Sequence, residues 1–216
     1  MSGRLVISGT DTGVGKTVAA AALVGLLDAD YWKPIQAGRD GGTDRDTVAR
    51  LSGANAARLH PEAYSLATAA SPHRAAEIDD LTIDIARLTP PRTTAPLIIE
   101  GAGGLMVPLT RDMLQIDLFA TWGLPVVLIA ATRLGTINHT LLSLEALASR
   151  RIPIAGVLFV GDENADSERT ILAFSNVPGL GRLPLVTPLN AEGLQAAARA
   201  HLDVAALQNI VRGVRS

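Results

Sequence analysis

Gly9-Thr10-Asp11-Thr12-Gly13-Val14-Gly15-Lys16-Thr17 lies between an apolar run, Leu5-Val6-Ile7, and an alanine-rich run from Val18 to Leu27. Strand, glycine-rich turn and helix follow one another here. Such a turn aims successive backbone N–H groups and a helix N-terminus at one spot, which makes a phosphate site. Lys16 is placed to reach the β- and γ-phosphates of a nucleotide, and the Thr17 hydroxyl to ligate Mg2+. Positions 10 to 14 separate Gly9 from Gly15, one more than the usual G-x-x-x-x-G-K-[ST] pattern allows. The competing possibility, a glycine turn that binds nothing, is disfavoured by the strand before it and the helix after it.

Outward from that loop, the composition sets bounds. The 216 residues suit one domain, 1–216; 48% are apolar and 19% charged, enough for a sizeable core and against disorder. A net charge of −2 shows no basic excess, which argues against nucleic acid or an anionic membrane as the main partner. With no cysteine, disulfides and thiolate metal sites are excluded. No signal pattern opens the sequence, and Gly and Pro interrupt every apolar run before about 20 residues, so a soluble cytoplasmic protein is expected. Of 19 basic residues only Lys16 and Lys33 are lysine. A compact ammonium differs from a planar guanidinium at a crowded site, so the two lysines point to one chemistry.

Strands are expected at Arg4 to Ser8, Asp30 to Pro34, Pro96 to Glu100, Pro125 to Ala131, Ile154 to Val160 and Leu180 to Leu185. Helices are expected at Lys16 to Leu27, Asp44 to Leu51 (capped by Thr43 or Asp44 and closed by Gly53), Asp80 to Leu88 and Ile116 to Trp122. Further helices follow at Asn138 to Arg150, Ser167 to Ser175, Ala191 to His201 and Val204 to Arg212. Gln36 to Thr43 reads as a loop, and His60 to Ala76 as irregular. The alternation implies an α/β fold, a doubly wound and mostly parallel sheet with helices on both faces.

Glu100 closes the apolar strand Leu97-Ile98-Ile99, where an unpartnered carboxylate would cost several kcal/mol, so a cation is expected beside it. That is the place of the acidic residue that holds Mg2+ in a P-loop protein; capping the next loop is the plainer alternative. Gly101-Ala102-Gly103-Gly104 is no dinucleotide fingerprint: position 106 is Met106, and Pro108 prevents the helix that should follow. Asp44 and Asp46 serve either as helix caps or as a second metal ligand. The four histidines lack the spacing of a zinc site and read as structural. Leu134-Gly135-Thr136-Ile137-Asn138-His139 is either a carboxylate receptor at a helix N-terminus or a plain turn.

Taken together, five stretches resemble the dethiobiotin synthetases. They are the loop 9–17, Trp-Lys-Pro-Ile-Gln-Ala-Gly (32–38), Ser-Pro-His (71–73), Glu-Gly-Ala-Gly-Gly (100–104) and Leu-Gly-Thr-Ile-Asn-His (134–139), in the family's order. The resemblance implies a homodimer that closes the ureido ring of dethiobiotin from 7,8-diaminononanoate, CO2 and ATP, through a carbamate and its mixed anhydride with phosphate, in biotin biosynthesis. It assigns Mg2+ to Thr17, Asp46 and Glu100, with Asp46 preferred to Asp44 because Thr47-Val48-Ala49 aligns better. Catalysis falls to Lys16, Lys33 and Thr12. The nucleotide falls to Thr12, Gly13, Val14, Gly15, Lys16, Thr17, Val18, Glu100, Pro184 and Leu185. The substrate falls to Thr12, Lys33, Ala37 and Gly103, and its carboxylate to Gly135, Thr136 and Asn138 of the partner subunit.

Two departures stand out: Ala37 replaces the family's Ser or Thr, and Val160-Gly161-Asp162 lacks the adenine-reading Asn, which implies relaxed choice of nucleoside triphosphate. Two other classes fit less well. A partition or septum-positioning switch ATPase would carry a signature lysine at the place of Asp11. A cobyrinate-type amide synthetase would need a glutaminase cysteine.

Overall fold

In the computed structural model, residues 3–213 are described, and strands and helices alternate along them. The strands are β1 (Arg4–Gly9), β2 (Asp30–Trp32), β3 (Ile35–Ala37), β4 (Leu59–His60), β5 (Tyr64–Leu66), β6 (Leu97–Gly104), β7 (Val126–Ala131), β8 (Ile154–Val160) and β9 (Gly179–Leu183). The α-helices are α1 (Lys16–Leu27), α2 (Asp44–Ser52), α3 (Pro72–Ile78), α4 (Gln115–Trp122), α5 (Thr136–Ser149), α6 (Ala165–Ser175), α7 (Ala191–His201) and α8 (Val204–Arg212).

Seven strands form one sheet in the order β4-β2-β6-β1-β7-β8-β9, with β3 and β5 as a separate pair. Every named strand pairing is parallel. The period of two along each strand divides the core. Leu5, Ile7, Ile98, Val127 and Ile129 face a cluster built with α1, α2, α7 and α8. Val6, Leu97, Ile99, Val126, Leu128 and Ala130 face a second cluster built with α4, α5 and α6. Strands covered on both faces must be apolar throughout, which is why β1, β6 and β7 read as unbroken runs.

The chain leaves β1 toward β2 on one side and later passes from β6, across β1, to β7 on the other. The winding reverses around β1, and ligands of such sheets bind at that point, beyond the carboxyl ends of the strands. Lys33, Thr132, Gly161 and Pro184 each follow directly on the carboxyl end of a strand at this edge.

Three expectations need correction. Asp80 to Leu88 is not a helix: Asp80 takes a left-handed φ of 54°, and only one 3-10 turn forms, Ile85–Arg87, started by the Asp84 side chain accepting the Ala86 N–H. His60 to Ala76 is not irregular, because β5 pairs with β3 and α3 begins with Pro72 in its first turn, where the missing N–H costs nothing. The strand from Leu97 runs past Glu100 through the glycines to Gly104, which lies opposite Gly9.

Candidate active site

At the phosphate loop Gly15 adopts φ 94°, and a Cβ there would lie 2.7 Å from Val160 Cγ1. Glycine is therefore required for the turn that starts α1. Lys16 folds back over the loop, its Nζ donating to the Asp11 carbonyl at 2.9 Å. Thr17 Oγ1 donates to Glu100 Oε1 at 2.8 Å.

Glu100 is 1% exposed, and the cation that its burial demands is Lys33, whose Nζ is 3.6 Å from Oε1. Lys33 is also ion-paired with Asp44. On the other side of the carboxylate, Tyr31 Oη donates to Oε2 at 2.9 Å. Burial works against the charge on Lys33, but Glu100 and Asp44 more than offset it and hold the ammonium pKa above its ordinary value. Lys16 goes the other way: burial lowers its pKa, Glu100 opposes, and the Lys33 charge lowers it further. Burial and then Glu100 raise the Tyr31 phenol well above its usual value, so it is a permanent donor.

A cavity of about 740 Å³ opens onto these groups. The loop and α1 bring Thr12, Gly13, Gly15, Lys16, Thr17 and Val18 to it; Lys33, Ala37 and Asp44 form another wall, and Glu100 and Gly103 a third. A second cavity of about 480 Å³ shares Gly13, Gly15 and Val18 and adds Val14, Pro184 and Leu185. Together they make one groove across the loop, with Lys16, Lys33, Asp44 and Glu100 at one end and the exposed Arg133, Asp162 and Glu163 at the other.

The structure gives the two aspartates different surroundings. Asp44, not Asp46, stands with Lys33 in the cavity. Asp46 completes a capping box: Thr43 caps α2, and Asp46 Oδ2 accepts from the Thr43 N–H and hydroxyl at 2.9 and 2.8 Å. Two positions along a helix rotate a side chain by about 200°, which sends the two carboxylates to opposite sides. Gly135, Thr136 and Asn138 line neither cavity. Thr136 is buried with its Oγ1 3.4 Å from that of Thr140, and Leu134 before the turn is fully exposed.

Two groups had no signal in the sequence. Tyr31 reads as an ordinary strand residue until β6 is known to lie beside β2. Gln115, 2% exposed at the start of α4, accepts from the Ala102 N–H at 2.6 Å and donates to the Gly104 carbonyl at 2.9 Å, so it fixes the glycine wall. At the other end of the groove, a Cβ on Gly161 would lie 2.4 Å from Thr132 Oγ1, and Gly161 has φ 133°. The nearby Asn164 amide is already used: it donates to the Thr132 carbonyl and accepts from the Ser167 N–H.

The family model described as AAA domain matches residues 3–193. A protein of Rhodopseudomonas palustris (strain HaA2) named ATP-dependent dethiobiotin synthetase is 60% identical over 197 residues, covering 91% of this chain and 92% of its own. Another of that name, from Afipia carboxidovorans, is 61% identical over 198 residues, covering 91% and 94%. The chain belongs to the ATP-dependent dethiobiotin synthetase family. The family's P-loop architecture extends to solved structures: a ParA family ATPase from Chlorobium tepidum TLS aligns with a TM-score of 0.53 over 97% of this chain and 96% of that one. At 13% identity that likeness shows the shared fold alone. Among the described residues of this dethiobiotin synthetase family member, no helix is long and apolar enough to cross a membrane.

Proposed function

We propose that the chain is an ATP-dependent dethiobiotin synthetase, a ligase of biotin biosynthesis that closes the ureido ring from 7,8-diaminononanoate, CO2 and ATP. The observation that carries this is the convergence of both lysines of the chain on one cavity, Lys16 on the phosphate loop and Lys33 between Asp44 and Glu100. One amine of the substrate adds to CO2 and loses a proton, giving a carbamate. A carbamate oxygen attacks the γ-phosphorus of ATP, and ADP leaves. The second amine then attacks the carbonyl carbon, phosphate leaves with the C–O bond, and the ring closes.

Fixed cations suit both charged stages. Lys16 leaves the Asp11 carbonyl for the phosphoryl oxygens, and Lys33 faces the carbamate with Thr12 and Gly103 beside it. Thr12 and Gly103 are neighbours: a Cβ on Gly103 would lie 3.4 Å from Thr12 Oγ1. Ala37 offers no hydroxyl to the substrate. Thr17, Glu100 and Asp44 supply hard oxygen donors, and Mg2+ is held well by one or two carboxylates together with nucleotide phosphates. When bound there, Mg2+ would neutralise charge on the phosphates.

The base would lie against Pro184 and Leu185, in the second cavity. The enzyme is proposed to act in the cytoplasm as one domain and as a homodimer. In the dimer Gly135, Thr136 and Asn138 of a second copy take the substrate carboxylate; Gly135 and Asn138 are exposed, and none of the three lines its own groove. A partition-type switch ATPase has Asp11 against it, since this carboxylate accepts from Arg133 at 3.5 Å where that class needs a lysine.

Phosphate release with Mg·ATP, bicarbonate and diaminononanoate tests the proposal. Release should depend on the diamine, with dethiobiotin formed in equal amount; equal release without the diamine overturns it.

A further inference from the structure

Glu100 has two oxygens and the structure gives them different tasks. Oε1 faces the cavity, where Thr17 Oγ1 donates at 2.8 Å and Lys33 Nζ lies at 3.6 Å. Oε2 points into the protein and accepts from the Tyr31 hydroxyl at 2.9 Å. Tyr31 is fully buried in the cluster under α1, and it lines neither cavity. A carboxylate bonded on one oxygen alone can turn about its terminal torsion, which is broad for such groups. A second bond from a rigid ring on the far side stops that rotation. The ring is rigid because Tyr31 sits in β2, with Ile98 of β6 opposite it in the ladder and Glu100 two residues further along.

We infer that Tyr31 is a positioning residue for the metal site: its hydroxyl locks the Glu100 carboxylate so that Oε1 is presented to the Mg2+ that accompanies the nucleotide. The inference rests on the proposed Mg2+ role of Glu100. Outer partners of ligating carboxylates generally set metal affinity without touching the metal, and losing one costs about tenfold or more.

The experiment titrates Mg2+ into protein holding a non-hydrolysable ATP analogue and follows nucleotide affinity by calorimetry, for native protein, Tyr31→Phe, Glu100→Gln and the double variant. Tyr31→Phe should raise the Mg2+ concentration for half-maximal effect by about tenfold and leave nucleotide affinity in EDTA unchanged. In the double variant it should add nothing to the effect of Glu100→Gln, because two groups acting through one contact are not additive. A Mg2+ midpoint within twofold of native, or full additivity, overturns the inference. Absence of any Mg2+ effect on native protein would instead overturn the metal reading beneath it. The two tyrosines, Tyr31 and Tyr64, also allow a test without substitution. In protein labelled with 3-fluorotyrosine, the Tyr31 fluorine resonance should move when Mg2+ is added to the nucleotide complex while that of Tyr64 stays. An unmoved Tyr31 resonance counts against the link even if Tyr31→Phe does not fold.

Discussion

The two ends of the groove are built from different materials. The larger end holds four charged side chains, Lys16, Lys33, Asp44 and Glu100, each fixed by a partner that is itself held in place. The smaller end joins main chain and apolar surface, Val14, Gly161, Pro184 and Leu185, to three exposed charged side chains, Arg133, Asp162 and Glu163, and its one amide, Asn164, is already bonded to the protein on both sides. Charges aimed at a developing charge stabilise it strongly in a buried site. Exposed charges are screened by water and salt, which leaves backbone and aliphatic carbon as the main surface this end offers a flat base. On the proposed reading, the reacting end is specified residue by residue, while the base end should tolerate alternatives.

The comparison is broken most directly at Lys33. Lys33→Arg keeps the charge but places a larger planar group between Asp44 and Glu100, and should lower kcat by about 100-fold in a phosphate-release assay. Near-native turnover would remove Lys33 from the reacting end. Next comes the pair of aspartates. Asp44→Asn should raise the Mg2+ requirement by about tenfold, whereas Asp46→Asn should leave it unchanged and cost less than about 1 kcal/mol of stability through the cap. The reverse outcome would restore Asp46 as the ligand.

At the base end, replacing ATP by GTP or CTP should change kcat/KM by less than about tenfold, below what a dedicated hydrogen-bonded recognition site gives. A loss of several hundredfold would overturn this expectation and point to a polar group of this end, such as Asp162 or Glu163, as a reader of the base. The smallest effect lies outside the groove. Glu77 is held down to about 2 by hydrogen bonds from Arg111 and then Arg74. A depressed carboxylate contributes stability that is full above its ordinary 4.5 and fades as pH falls toward about 2. The Tm difference between native protein and Arg111→Ala should be small at pH 7, shrink through that window, and vanish in high salt because the pair is exposed.

Legibility followed the same division. β1, β7, β8 and α1 were readable because strands buried on both faces must be apolar throughout and an alanine run favours helix. Asp80 to Leu88 was not, because its apolar spacing fits a helix while Asp80 and Asp84 make local backbone choices that end one. The short strands β3 and β5 gain their character only from each other. In the site, Lys16, Thr17 and Glu100 were legible from position in strand and loop. For Asp44 and Asp46 the sequence left cap and ligand both open and preferred Asp46 as the ligand only by alignment, because the direction of each carboxylate is set by the folded helix.

By itself the sequence determined the phosphate loop with its extra residue, the carboxylate at the end of an apolar strand, the scarcity of lysine and the α/β alternation. These are local facts, set by spacing and composition. Only the tertiary structure decided that Lys33 is the cation beside Glu100, that Asp44 completes the group while Asp46 caps a helix, and that Tyr31 and Gln115 support the site from behind. Apart from the local Asp46 cap, those contacts join residues 11 to 69 positions apart, and their existence depends on how distant segments are brought together, a choice that no single stretch of chain makes alone.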